Sequence, residues 1–463
     1  MNPNLRIRLS INCPSIRSAE KAVPLKINEL RFTDQSFLVD DVEYQTGIYK
    51  KYPVGGCPPS VKEKNENGGW WIDLDQHGYE DWPSRLTLRP GDVDLRSPFD
   101  RNRAFLEIDE DEIEENRELL TDLEKRLDYV ERLGPINPHY DLSYKQSHIE
   151  TILNYFMQQR TTAGQTSNFK VRKEFEHARA RAYKELMYQV LDTKAILGQW
   201  DARRDGFPVP FKSYIMLTIR DDKTGEKKKV EFVKYEKRLF EALNYLMHRI
   251  FENRRHPVAV KLLITNAAFL RLTPGVRMQI EEMTIFGEAD RAFTEMAPYI
   301  EESSYPLKKL CLAMVDTAVI QHPKLTSAQY FVYDGIDEDI EWLPILLNLE
   351  NHKVHINCEC DDEQIISVDD FMTLIKRWIS SEKREGASLS FSLFNVFDEL
   401  EMDEFHEQVF RKIKKTFKNY NSGPRYARIP TNNGTTLRVS VEPSGEEANP
   451  WNFVLQILPS EHM

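Results

Sequence analysis

The sequence predicts an α+β protein: a β-rich N-terminal domain, a helical middle section and a C-terminal, irregular, leucine-rich-repeat-like α/β solenoid. Three observations predict it. Short alternating or apolar runs, punctuated by turn residues, fill the first hundred or so residues. The hydrophobic period then lengthens to that of a helix. From Tyr214, strand-like runs return roughly every 20 to 35 residues, the spacing of a repeat whose units each offer one strand to a shared sheet. The expected segments are 1–24, 25–106, 107–212 and 213–463.

Taken in order, the stretch from Leu5 reads as short strands and turns, with a short helix near Pro14 to Val23. Leu25 to Leu30 and Phe37 to Val39 are apolar, Val42-Glu-Tyr44-Gln alternates, and Asp40-Asp41 suits the hairpin turn between the last two. Trp70 to Ile72 and Leu86 to Leu88 read as further strands, with Pro90-Gly91 as punctuation. The period then changes. Ile113, Leu120 and Leu127 are seven apart, with Leu123 and Val130 between them, which makes an amphipathic helix ending at Gly134-Pro135. A second helix is expected from Tyr144 to Arg160 and a flexible loop over Thr161 to Ser167. A third helix, Val171 to Trp200, gathers Phe175, Ala178, Ala182, Leu186 and Val190 on one face.

A hairpin opens the last segment: Tyr214 to Ile219 and Lys229 to Val233 flank Asp221-Asp-Lys-Thr-Gly225. A helix follows over Tyr235 to Phe251. Strand-like runs lie at Val258 to Ile264, Met278 to Ile285, Lys308 to Leu312, Ala328 to Val332, Val354 to Cys358 and Leu389 to Leu393. Helical stretches such as Ala289 to Glu301 and Val368 to Ser380 separate them. The chain closes with a helix, Asp403 to Phe417, a turn at Asn432-Asn433-Gly434, and strands at Leu437 to Val441 and Asn452 to Ile457.

Composition narrows the function classes. Hydrophobic residues make up 41% and charged residues 29%, enough to build a sizeable core. The net charge of -12 argues against nucleic acid as a partner. Most of that acidity sits between Glu107 and Glu131, where a solvated helix face is the simplest reading. Five cysteines, unevenly spaced, make no disulfide framework and suit a reducing compartment, cytoplasmic or nuclear. No run of about 18 apolar residues occurs, so no membrane partner is expected.

Two stretches resemble metal sites. Asp73-Leu-Asp75-Gln-His77-Gly78 opens like a calcium loop, but its twelfth position is Ser84 where a bidentate glutamate is needed, and Pro83 interrupts the exiting helix. Asp73 and Asp75 are expected to cap local backbone groups instead. His355-Ile-Asn-Cys358-Glu-Cys360 spaces its cysteines too closely for zinc and has no second pair. No G-x-S-x-G, P-loop or G-x-G-x-x-G occurs. No catalytic residue, metal ligand or cofactor is assigned, and a non-enzymatic binding protein is the expectation.

Several segments resemble the nematode (Caenorhabditis) F-box C family. They are Asn2 to Ser10 with Cys13-Pro-Ser-Ile-Arg17 and Glu20 to Leu25, then Tyr44 to Tyr49 leading into Asn65-Glu-Asn-Gly68-Gly-Trp-Trp-Ile-Asp73-Leu-Asp75. His256 to Lys261, Glu302 to Leu310, and Ile375-Lys-Arg-Trp-Ile379 with Gly386 to Leu393 complete the set. The resemblance implies the substrate-receptor subunit of a cullin-type ubiquitin ligase, which holds a Skp1-like adaptor through its F-box and an unknown protein target elsewhere. The family's leading Leu-Pro helix has no counterpart here, so the F-box is truncated or degenerate. Adaptor contact would fall to Leu5, Ile7, Leu9, Ile11, Cys13 and Pro14. Target binding is expected on the strand-lined face of the solenoid, with Tyr330, Phe331 and Tyr333 as aromatic anchors. The alternative is a stand-alone protein-binding scaffold with no adaptor or ubiquitin link.

Overall fold

The structure, a computed structural model, describes residues 2–54, 56–89, 92–96, 110–134, 149–164, 169–272, 274–314, 319–335, 341–358, 366–393, 399–443 and 451–459. Gly55, the Pro90-Gly91 turn, the start of the acidic block at Glu107, residues 144–148, residues 165–167 and Cys360 lie outside the described residues.

A helix opens the chain where strands are expected, Pro3–Asn12 (α1), and the short helix expected near Pro14 follows as Pro14–Lys21 (α2). Leu5, Ile7, Leu9 and Ile11 alternate like a strand, but the ends of the segment decide otherwise. The Asn2 side chain accepts from the Asn4 and Leu5 amides, and prolines occupy the first positions of both helices, where a missing N–H costs nothing. The meander that follows is as expected: Lys26–Thr33 (β1), Ser36–Val39 (β2) and Val42–Lys51 (β3), with Asp40 at φ 52° in the turn. Pro59–Glu66 (α3) and Trp82–Leu86 (α4) precede a short strand, Asp92–Asp94 (β4). The strands expected at Trp70 to Ile72 and Leu86 to Leu88 do not form. Trp70 makes a single antiparallel bridge to Ile48, and Leu86 ends α4, whose start Asp81 caps through the Ser84 amide.

The helical section comprises Glu110–Arg132 (α5), Ile149–Gly164 (α6) and Phe169–Asp205 (α7). Leu123, Val130, Ala178, Ala182, Leu186 and Val190, on the faces predicted from the spacing, form its own buried cluster with Ile152 and Phe156 of α6. Residues 161–164, expected in a loop, continue α6. Thr161 there bonds its hydroxyl back to the Met157 carbonyl, so its side chain does not break the helix.

The remaining strands are Lys212–Asp221 (β5), Lys227–Lys234 (β6), Val258–Asn266 (β7), Phe269–Arg271 (β8), Met278–Ile285 (β9), Lys309–Leu312 (β10), Tyr330–Gly335 (β11), Lys353–Cys358 (β12), Ser388–Leu393 (β13), Asn421–Gly423 (β14), Tyr426–Pro430 (β15), Thr436–Pro443 (β16) and Trp451–Leu458 (β17). The helices among them are Leu239–Phe251 (α8), Ala289–Glu295 (α9), Pro323–Thr326 (α10), Trp342–Asn348 (α11), Val368–Ser380 (α12) and Glu399–Thr416 (α13). The protein is therefore mixed α/β, with thirteen α-helices among the described residues.

Fifteen strands make one mixed sheet, ordered β14-β15-β16-β17-β13-β12-β11-β10-β9-β7-β1-β2-β3-β5-β6. The expected segments 25–106 and 213–463 share it. Its middle, from β13 to β1, is parallel, and both flanks are antiparallel. Alternation along the parallel strands sends Ile280, Leu310, Phe331, Tyr333, Ile356 and Phe391 to one face. There they meet Met247, Phe293, Trp342, Trp378 and Val409 from α8, the segment of α9, α11, α12 and α13 in one continuous core. At about 25 cal/mol per Å² of apolar area removed from water, this face supplies the main driving force for folding.

Candidate functional site

The strands turn their other set of side chains away from that core. Register places Glu282, Lys309, Tyr330, Lys353 and Ser388 side by side across five strands. A second row runs Thr284, Cys311, Val332, His355 and Ser390. Beside it, Asn357 donates from Nδ2 to Asp334 Oδ1 at 2.7 Å. Apart from Val332, the side chains of both rows are half-buried or exposed. The surface alternates charge, aromatic ring and hydroxyl: Lys309 Nζ lies 5.6 Å from the Tyr330 ring, and His355 Nδ1 is 2.8 Å from Ser390 Oγ.

This placement corrects part of the expected anchor set. Phe331 and Tyr333 belong to the core, Tyr333 fully buried with its ring 4.7 Å from Trp342, because residues one and three places into β11 share the helix-covered face. They cannot touch a partner. Tyr330 stands on the opposite face, half-buried, and burial raises its phenol above the ordinary range.

Chemically this face offers contacts and no activated nucleophile among its described residues. Burial, with Asp334 adding to it, pushes the Cys311 thiol up to about 11, so it is neutral at physiological pH and a weak nucleophile. The His355–Ser390 pair lies mid-strand, and the Ser390 hydroxyl also reaches the Val354 carbonyl at 3.4 Å.

The expected adaptor residues are split by α1. Ile7 is 1% exposed, in the core, because the helix turns Pro3, Asn4, Ile7 and Ser10 inward. That removes Ile7 from any adaptor surface. Leu5 is 48% exposed and Pro14 exposed, while Leu9, Ile11 and Cys13 are half-buried. Both helices are fastened to the body. Arg6 donates to the Pro24 and Val23 carbonyls, Glu20 accepts from Arg6 and from both terminal nitrogens of Arg254, and Lys21 Nζ reaches the Glu252 carbonyl at 2.7 Å.

The calcium-like loop proves to be a joint. Asp75 Oδ1 accepts from the His77 and Tyr79 amides, the local turn expected of it. Asp73 departs from the local cap expected of it: Oδ1 accepts from the Tyr235 hydroxyl and from the Leu239 amide, both at 2.8 Å, and so caps the start of α8 from across the fold. Among the described residues, no group of three or more His, Cys, Asp or Glu side chains is placed to hold a metal ion. A Cβ on Gly47 would lie 2.0 Å from the Gly68 carbonyl oxygen, so β3 carries glycine where this loop crosses it.

Against this joint lies a buried lysine that no motif marked. Lys50 Nζ donates to the Gly78 carbonyl at 2.9 Å and sits 4.2 Å from the Trp70 ring. Burial, helped by Lys64, pushes its amine down to about 8. The folded protein thus releases this proton before the unfolded chain does. Lys50 is therefore expected to make stability rise with pH from about 8 toward 10.5, by up to about 3 kcal/mol. Denaturant unfolding of wild type and Lys50→Met at intervals of pH checks this: the wild-type excess slope should vanish in the variant, and equal slopes would refute it.

At the leading ends of β11 to β13 a cavity of about 710 Å³ opens between α11 and α12, lined among others by Leu346, His352, Arg377, Trp378 and Lys383. Lys383 Nζ donates to the Leu349 carbonyl at 3.1 Å and lies 4.9 Å from the Trp378 ring, and burial lowers its pKa. Asn351, 3% exposed, ties the Leu325 and Ala328 carbonyls to the entry of β12. Periodicity marks strands and helices, and this cavity is built from the residues between them, so nothing in the sequence pattern announced it.

One family matches: Domain of unknown function (DUF3557), over residues 238–395. The matched span, about a third of the chain, begins at α8 and ends just after β13. It thus contains the successive parallel strands, both rows of outward side chains and the cavity. Comparison with curated proteins and with solved structures finds no match. Among the described residues, no helix is long and apolar enough to cross a membrane.

Proposed function

We propose that the protein is a non-enzymatic interaction module of the substrate-receptor kind. The outward face of β9 to β13 takes an unknown protein target, and the exposed parts of α1 and α2 take a Skp1-like adaptor of a cullin-type ubiquitin ligase. The observation that carries this is the pair of in-register rows on a face opposite the helices, an arrangement that offers a continuous run of contacts to an extended surface. We read the parallel stretch as an irregular, leucine-rich-repeat-like solenoid. Two features support that: from β10 to β13 each strand pairs with the one before it, and the helices between them pack on one face. Tyr330 and Lys353 are the proposed target contacts, Leu5, Leu9 and Pro14 the proposed adaptor contacts. Such a receptor works by raising the local concentration of target near a ligase. Its setting is cytoplasmic or nuclear, with neither nucleic acid nor membrane as partner.

Ile7 in the core favours a second function, a stand-alone scaffold in which α1 and α2 serve only to close the fold. Co-purification separates the two. The chain, co-expressed with a Skp1-like adaptor, should retain it through gel filtration, and Leu5→Asp should weaken retention by about tenfold or more. An adaptor that elutes separately from the folded chain leaves the scaffold as the function.

A further inference from the structure

The last strand of the sheet, β6, is unlike the others. It ends the strand order at the side opposite β14, which has only three residues, and all eight of its residues are exposed. Among the described residues it pairs with β5 alone, and no described strand lies beside the backbone N–H and C=O groups of its outer edge. Three of its exposed side chains are apolar: Val230 at 39%, Phe232 at 52% and Val233 at 61%. Register puts Val230 and Phe232 on the side of Thr218 and Met216, and Val233 on the side of Ile215. An added strand would therefore find apolar contact on both faces.

The charges select what can be added. The register shifts near Arg220, so the regular part of the edge is Lys229 to Lys234, a lysine at each end of Val-Glu-Phe-Val. Antiparallel pairing of this strand with a second copy would set Lys229 opposite Lys234 twice, and like charges directly opposite are destabilising. An acidic residue at each end of a partner strand would instead meet a lysine. Lys229 already has Glu231 as a neighbour and Lys234 has Glu236, so the partner's carboxylates join existing pairs at an exposed site.

We propose that Lys229–Lys234 accepts an added antiparallel strand from another protein, an extended segment of about six residues with acidic ends and an apolar centre. This surface is separate from the outward face of β9 to β13 and does not depend on the function proposed for it. The test titrates the full chain into the peptide EVYVVE-amide, labelled with fluorescein through an N-terminal Gly-Gly spacer, and reads anisotropy. The peptide should bind saturably, and Val233→Lys with Phe232→Lys should weaken it by about tenfold. Two N-methylated peptides, blocked at alternate amides, should behave unequally, since only one set of amides faces β6. The set facing β6 should lose binding and the other keep it. No saturation by about 1 mM of the chain, equal behaviour of the two methylated peptides, or dimerisation of the chain abolished by Val233→Lys would each overturn the proposal.

Discussion

Truncating Tyr333 to alanine is expected to cost about 3–5 kcal/mol of folding stability, and the same truncation at Tyr330 about 1 kcal/mol or less. The two tyrosines are three residues apart on one strand, and only the face differs. Tyr333 is fully buried, edge-on to Trp342 at 4.7 Å, in the core that joins the parallel strands to their helices. Removing its ring leaves a cavity that a close-packed interior fills only in part. Tyr330 loses its contact with Lys309 Nζ and a half-buried ring on the outward face. Urea or guanidinium unfolding of the two variants measures the contrast. Comparable losses in both would mean that the outward face is packed against something as firmly as the core.

Glu20→Gln is expected to destabilise the protein by about 3–5 kcal/mol, the largest effect of any single charge removal in the N-terminal part. The Glu20 side chain is 8% exposed and accepts from Arg6 at 2.9 Å and from both terminal nitrogens of Arg254 at 3.1 Å. Arg254 is more buried still, at 3%. Neutralising the carboxylate leaves that guanidinium in the interior with no counter-charge, and burial already lowers its pKa. The double variant Glu20→Gln with Arg254→Met should recover a good part of the loss, because the stranded charge has then gone. A double-mutant cycle with no coupling between the two positions would show that the pair does not hold α1 and α2 in place.

Much of the fold was legible because periodicity survives in single elements. The six strand runs from Val258 to Leu393 and the faces of α5 and α7 follow from spacing that side-chain burial then obeys. Local chemistry overrode the pattern where the two conflicted. Asn2 and Pro3 made a helix of a segment that alternates like a strand, and Pro83 with Asp81 did the same near Leu86. Long-range partners were beyond reach. That Asp73 caps a helix starting at Leu239, or that Glu20 meets Arg254, depends on which surfaces the fold brings together. The face of β11 was also undecidable in advance: alternation divides Tyr330 from Phe331 and Tyr333, and only the position of the helices says which set is inside.

In the function proposed above, the outward face of β9 to β13 captures a protein target. Affinity purification from native extract with the tagged chain, in parallel with Tyr330→Ala/Lys353→Glu, tests it most directly, once both proteins are shown to unfold at the same denaturant concentration. At least one protein should be recovered by the wild type and lost with the double variant, whereas the same proteins in equal amounts from both would rule out capture by this face.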